Sequence, residues 1–290
     1  MSKKVLITGA SGGFGKLTAQ TLLKKGYKVV ASMRNADGKN KNVAQELSSL
    51  GAHIVDIDVT NDQSVISGVE KSIEFLGGLD VAINNAGVGV VGMQEHFTPD
   101  DFQKLFDVNV FGIQRINRAI LKHMRSNNSG LIIYVSSLLG RISLPFFGPY
   151  NASKWAVEAL AENYRVELSG FGIDSCIVEP GGYPTAFMDN LMVPSDKSRN
   201  ESYGEFMNAL KTSLEGFGEA FASNPEQNPQ KVADAILKII ETTAGKRPVR
   251  TVVDNMGMGD PINGYNDQLN QITESIYNAF GMGEMLKLKV

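Results

Sequence analysis

Tyr150 and Lys154 stand four residues apart in a stretch with helical spacing. On a helix they share one face. A phenol ionises near pH 10 and is a poor proton donor or base at neutrality. An ammonium beside it favours the phenolate and lowers that value. Such a pair can pass a proton to or from a carbonyl or alcohol oxygen near neutral pH. Two serines, Ser136 and Ser137, precede the tyrosine at the end of the apolar run Leu131 to Val135. Period-two alternation along a strand sends their hydroxyls to opposite sides.

The second chemical signal lies near the start of the chain. Val5-Leu6-Ile7-Thr8 runs into Gly9-Ala10-Ser11-Gly12-Gly13-Phe14-Gly15, and helical spacing follows. Glycines there permit a tight turn and remove side chains that would block a phosphate. Backbone N–H groups at the following helix N-terminus could then hold a pyrophosphate, where the dipole favours an anion.

Elements must bring these two sites together. Strands are expected at Val5–Thr8, Lys28–Met33, His53–Ile57, Leu79–Ile83, Leu131–Val135, Ser175–Val178 and Thr251–Val253. Helices are expected from about Gly13 to Lys25, before Leu50, from Asp62 to Leu76, and as one long rod from Pro99 to Met124. Further helices are expected at Tyr150–Leu168 and Lys231–Glu241, with a weaker pattern from Pro261 to Phe280. Thr60 or Asn61, and Thr98, are the expected N-caps. Alternating β and α elements predict a doubly wound α/β fold, a parallel sheet of about seven strands with helices on both faces. One domain over residues 1–290 is the simplest division. Residues 185–229 are rich in Met, Phe, Asn, Ser and Gly without a strand, and are expected to form a substrate lid. Residues 255–290 are expected to form a polar tail.

The order Thr8-Gly9-x-x-x-Gly13-x-Gly15, Asn84-Asn85-Ala86-Gly87, Asn109, Ser137, Tyr150-x-x-x-Lys154 and Pro180-Gly181-x-x-x-Thr185 resembles the short-chain dehydrogenase/reductase family. The match runs from residue 3 to about residue 185. Each motif alone is weak; the series in order is specific. The glycines also fit Gly9-x-x-Gly12-x-x-Gly15, the spacing of the family's extended epimerases and dehydratases. The Asn-Asn-Ala-Gly tetrapeptide and the shorter chain favour the dehydrogenase branch.

The resemblance implies a Rossmann-type fold and assigns roles. Tyr150 becomes the general acid/base. Ser137, rather than Ser136, steadies the substrate oxygen, an oxyanion-type role. Lys154 also contacts the nicotinamide ribose, and Asn109 holds a water in a proton relay. Gly9, Ser11, Gly12, Gly13, Phe14 and Gly15 form the phosphate loop. Asp58 and Val59 face the adenine, and Asn85, Ala86 and Gly87 the adenosine and ribose. Pro180, Gly181 and Thr185 border the carboxamide end. An acidic residue at the end of the second strand would bind the ribose 2′-hydroxyl of NAD. Met33 holds that place and Arg34 follows it, and arginine can hold a 2′-phosphate. NADP(H) is therefore expected over NAD(H). Val88, Leu139, Phe146, Phe147, Tyr183, Phe187 and Met188 are the expected pocket wall, which suits a hydrophobic ketone or aldehyde and its alcohol. By weaker analogy, the chain length and Ser32-Met33-Arg34-Asn35 are similar to members acting on retinoids and steroids, and to bacterial carbonyl reductases. The family also implies a homodimer or homotetramer through the helices carrying Asn109 and Tyr150. A cofactor-retaining isomerase or dehydratase is the alternative. A catalytically silent dinucleotide-sensing module would be expected to lose Tyr150 or Lys154, and both are present.

Composition narrows the classes further. The chain has 290 residues, with 28 basic and 31 acidic side chains and a net charge of −3. Nucleic-acid binders are usually basic overall, so no such partner is expected. Cys176 is the single cysteine, which leaves no intramolecular disulfide and no cysteine-rich zinc site. Only His53, His96 and His123 could add imidazole ligands, and no metal is expected. Met1-Ser2-Lys3-Lys4 is followed by only a short apolar run, shorter than a signal peptide requires. No apolar stretch is long enough to span a bilayer, and Ser2 stands where myristoylation needs glycine. A cytoplasmic protein without a membrane partner is the expectation, with the Asn-x-Ser triplets at Asn127, Asn151 and Asn200 accidental. Glycine is in excess, at 30 residues, and the phosphate loop accounts for several of them.

Overall fold

Val5, Leu6 and Ile7 have no exposed surface, because β1 (Lys4–Ile7) lies between two parallel neighbours with helices over both faces. The computed structural model describes residues 2–290. Around β1 stand β2 (Lys28–Met33), β3 (His53–Asp56), β4 (Val81–Asn84), β5 (Gly130–Val135), β6 (Ile173–Pro180) and β7 (Arg250–Val253). All pair in parallel, in the order β3-β2-β1-β4-β5-β6-β7. The register sets Val5 opposite both Val29 and Val81, and Ile133 opposite Cys176.

Alternation along β1 divides the core in two. Val5 and Ile7 pack with Leu22 of α1 (Gly13–Lys24), Leu47 of α2 (Lys41–Ser49) and Ile236 of α9 (Gln230–Glu241). Leu6 faces the other layer, with Val65 of α3 (Asp62–Leu76), Ile116 of α5 (Gly112–Ser126) and Val157 of α6 (Gly148–Leu168). The remaining helices are α4 (Pro99–Phe106), α7 (Asn200–Tyr203), α8 (Met207–Ser223) and α10 (Gly259–Ala279). This is the expected Rossmann-type sheet. Strand order reverses at β1 and β4, and such a switch point leaves a crevice at the strands' carboxyl ends.

Several boundaries carry information. Asn61, not Thr60, caps α3 by accepting from the Ser64 N–H. Thr98 opens α4 with a reciprocal capping box to Asp101. The expected rod from Pro99 to Met124 is interrupted: Asp107–Phe111 form a wider π turn between α4 and α5. β6 is longer than expected, because Asp174 and Glu179 are inside the sheet and not at its ends. The segment 185–229 holds α8, with apolar residues at Leu210, Leu214, Phe217 and Phe221. Gly216 and Gly218 lower its helical propensity and hide it from a sequence pattern. The tail contains a full helix, α10. Among the described residues no helix is long and apolar enough to cross a membrane, and no acidic, His and Cys cluster could hold a metal.

Candidate active site

Four connections meet at the carboxyl ends of β1, β4, β5 and β6. The first is the glycine loop. Gly9 and Gly13 have φ of +68° and +48°, a left-handed backbone that side chains disfavour. A Cβ on Gly9 would lie 2.7 Å from Ala86 Cα, and one on Gly15 would lie 2.4 Å from both Asn85 Nδ2 and the Gly9 carbonyl oxygen. The loop is therefore pressed against the turn after β4. Thr8 and Asn85 fix that contact. The Thr8 hydroxyl accepts from the Asn85 and Ala86 N–H groups, and Asn85 Nδ2 donates to the Thr8 and Gly9 carbonyls. Gly12, the N-cap of α1, is different: nothing lies within 4 Å of the space a Cβ would take. No side chain caps α1, and its first turn carries no acid. Open space before uncapped N–H donors fits a pyrophosphate.

Gly87 brings the second group together. A Cβ there would stand 3.4 Å from Asn109 Oδ1 and 4.0 Å from Lys154 Nζ. Asn109 sits in the π turn, where its buried amide is fully engaged. Oδ1 accepts from the Val88 N–H, and Nδ2 donates to the Val88 carbonyl and the Ser153 hydroxyl. Its side chain thus clamps the loop after β4 to α6. Lys154 is buried and donates to the Val135 carbonyl at 2.8 Å, which ties α6 to the end of β5. Its Nζ lies 5.5 Å from the centre of the Tyr150 ring.

Ser137 opens the short turn after β5. Its hydroxyl accepts from the Leu139 N–H and lies 3.5 Å from the Pro180 carbonyl. Burial pushes the Tyr150 phenol up, and a hydrogen bond from the Ser137 side pulls the other way. Burial also lowers Lys154 to about 8, against a smaller upward pull from Glu158. At neutral pH the site therefore holds a protonated phenol beside an ammonium. Ser136 points elsewhere, toward the space next to Gly140.

The Pro180–Thr185 segment closes the ring. Gly181 donates to the Val253 carbonyl, and a Cβ on it would meet Asp254 Oδ1 at 2.2 Å. Thr185 Oγ1 lies 3.9 Å from the Cβ position of Gly13, so this segment hangs over the phosphate loop.

The cofactor-side residues divide. Arg34 is exposed directly after the buried Met33. Asp58 Oδ1 is occupied by the Thr60 N–H and hydroxyl. Burial would raise the Asp58 carboxyl, but those bonds and the charges of Arg34 and Arg115 together hold it below its ordinary value. The Val59 side chain packs into the core against Gly112, and its carbonyl accepts from Arg115 Nη1 at 3.1 Å. Phe14 turns into the protein and stacks edge-on with Tyr183, 5.4 Å between centres.

That contact corrects one expectation. Tyr183 is not a pocket wall: its side chain is buried in the core layer of α1 and α9, and its hydroxyl donates to the Val253 carbonyl. Phe187 does reach the site, with its ring 5.9 Å from that of Tyr150. Val88 packs in the cluster that includes Tyr150. Leu139 and Met188 are half-buried at their short turns. Phe147 meets Phe217 of α8 at 6.0 Å, and Phe146, in a left-handed backbone at φ +70°, meets Phe206 at 6.4 Å.

Residues that motif spacing does not reach lie behind the site. One turn below Lys154, the buried Glu158 pairs with Arg141 and, at 3.1 Å, with Arg250. The same arginines hold the fully buried Glu179, with Arg141 at 3.0 Å and Arg250 at 3.4 Å. Asn266 of α10 donates to Glu179 at 2.6 Å. Burial and the neighbouring Glu158 push Glu179 up, against Arg141 and Asn266. Two buried acids and two arginines thus face each other inside the protein, with Glu162 at the solvent edge pairing with both arginines, and the cluster joins α6, the loop after Ser137, β6, β7 and α10.

Comparison with known proteins adds to the geometry. The family model of the short chain dehydrogenases matches residues 3–194. The 3-ketodihydrosphingosine reductase of Bacteroides thetaiotaomicron is 36% identical over 240 residues, covering 81% of this chain and 82% of that protein. Among solved structures, a short-chain dehydrogenase from Streptomyces avermitilis is 27% identical with a TM-score of 0.75, over 98% of this chain and 99% of that one. The 3-ketoacyl-(acyl-carrier-protein) reductase from Brucella melitensis, complexed with NADH, is 25% identical with a TM-score of 0.72, over 87% and 96%.

Proposed function

The chain belongs to the short-chain dehydrogenase family of oxidoreductases, and from that premise we propose that it reduces a hydrophobic ketone or aldehyde to its alcohol with NADP(H), reversibly. The observation that carries this reading is the convergence of Ser137, Tyr150 and Lys154 beside the open glycine loop. When bound, the nicotinamide supplies a hydride to the carbonyl carbon. The chain's own residues do the rest. Ser137 donates to the carbonyl oxygen and steadies its growing charge. Tyr150 Oη gives that oxygen a proton, and the phenolate left behind is stabilised by the Lys154 ammonium. Solvent returns the proton to Tyr150. Asn109 holds the Val88 loop and α6 at fixed spacing while this happens.

The choice of NADP(H) rests on Arg34, exposed after β2 where an acid would repel a 2′-phosphate. The segment 185–229 acts as the lid, since Phe187, Phe217 and Phe221 come from it. The test is nicotinamide absorbance with purified protein and a panel of apolar ketones. NADPH should be consumed in step with alcohol formed. Arg34→Ala should lower kcat/KM for NADPH by about tenfold or more, the size of a hydrogen bond to a charged group, and leave NADH unchanged. Equal use of NADH and NADPH by the unmodified protein would overturn the cofactor choice.

A further inference from the structure

We propose that the substrate carries a long, unbranched apolar chain that lies along the inner face of α8 while its carbonyl sits at Tyr150. This rests on the reductase reading above and specifies the substrate class for it. The first observation is the state of α8 itself. Leu210, Leu214, Phe217 and Phe221 recur at helical spacing and are half-buried, while Asn208, Lys211, Thr212, Glu215 and Glu219 on the other side are exposed. Not one side chain of α8 is buried, although an apolar stripe of this kind normally faces a core. The stripe faces the site without being filled by it.

The second observation is continuity with the reacting group. A Cβ on Gly182, two residues past Pro180, would stand 2.6 Å from Phe221 Cζ, so one end of the stripe rests beside the Ser137 partner. Phe217 rests on Phe147, three residues before Tyr150. Phe206, just before α8, rests on Phe146. From Phe206 to Phe221 a helical rise spans roughly 22 Å. An apolar row of that length runs along one helix, and its Phe217 packs on the residue three before the catalytic tyrosine. A compact ring substrate would touch only part of it.

The third observation is charge. The inward side chains of α8 are apolar or small, and its Lys211–Glu215 pair is 3.8 Å apart on the outer, exposed side. The stripe therefore offers nothing to a phosphate or carboxylate at its inner end. An alkyl chain fits, because covering the half-buried stripe and the chain together removes apolar surface from water on both.

The test uses the full-length enzyme with NADPH and methyl ketones carrying propyl, hexyl and undecyl chains, kept below their aggregation limits. The value of kcat/KM should climb with chain length, by up to about fourfold for each methylene buried. Leu214→Gln should cut it for the undecyl ketone at least ten times more than for the propyl ketone. Phe217→Leu, which keeps apolar volume, should retain the preference. Lys211→Ala, on the outer face, should leave the series unchanged. Turnover with no dependence on chain length overturns the chain proposal and leaves the reductase reading standing. If no ketone turns over, the reductase reading fails, and calorimetric binding of straight-chain primary alcohols decides the groove alone. Affinity that rises with chain length and falls in Leu214→Gln supports it; affinity that does neither overturns it.

Discussion

Helices α6 and α8 both border the proposed site and are attached to the protein in different ways. α6 buries nine side chains and is fixed by polar bonds. Lys154 reaches the end of β5, Ser153 reaches Asn109, and Glu158 reaches Arg141 and Arg250. α8 buries none; its Phe217 rests on the Phe147 ring and its Phe221 against Gly182. Polar bonds fix distance and angle, as proton transfer demands. Apolar contacts are non-directional and tolerate displacement. Under the proposed function, chemistry falls to the rigid helix and substrate fit to the loosely held one, which has few buried contacts.

The comparison can be broken from either side. The largest expected effect is on α6. Tyr150→Phe should lower kcat by about two to four orders of magnitude, the usual worth of a positioned acid. Cofactor affinity, measured by fluorescence titration, should barely move. Retained turnover would remove the chemistry from α6. Next is the charge cluster. Glu158→Gln strips one acid from between two buried arginines, and breaking a buried pair costs about 3–5 kcal/mol. Chemical denaturation should read that loss, whereas Leu214→Gln on α8 should change stability by under about 1 kcal/mol. Similar losses in both would dissolve the contrast.

The smallest effect concerns how the α7–α8 segment is moored. The Ser195 N–H and hydroxyl both donate to Asp101 of α4, and Thr98 donates its N–H to the same oxygen. Burial would raise the Asp101 carboxyl, but these bonds hold it down to about 2. A folded-state value below the ordinary one means the mooring is complete above pH 4 or so and is lost as pH falls toward 2. Hydrogen exchange in residues 195–223 should therefore quicken in that acid range before exchange in α6 does. Asp101→Asn should reproduce the loosening at neutral pH. No change in either case would mean that the segment is held elsewhere.

Much of the fold is legible in the sequence where burial is local. Val5-Leu6-Ile7 announces a buried parallel strand because every residue of it is apolar. β6 is clipped in a sequence reading because Asp174 and Glu179 look like strand ends. Both are inside, neutralised by arginines from distant segments: Arg165 and Arg247 for Asp174, Arg141 and Arg250 for Glu179. Local pattern does not carry such pairings. The same reason hides Glu158, which reads as an ordinary helix glutamate four residues after Lys154. Ser153 carries a fainter signal, since it stands directly before that lysine. Tyr183 looks like a pocket wall by its place after Pro180-Gly181, yet β7 brings it the Val253 carbonyl and turns it inward. α8 escapes notice because its stripe meets no buried core and its glycines weaken the helical pattern.

The π turn at Asp107–Phe111 has a further consequence. Such a turn holds one residue more than a regular one, equal to about 100° of helical rotation. Upstream of it, Asp101 and Leu105 face inward; downstream, Ile113, Ile116 and Ile120 do. Asn109 lies between the two sets and must meet Val88 and Ser153 at once. Deleting any one residue there would straighten the rod while turning one end out of phase with the other. The segment works as a fixed phase-shifter, and its length, more than its composition, is the constrained quantity.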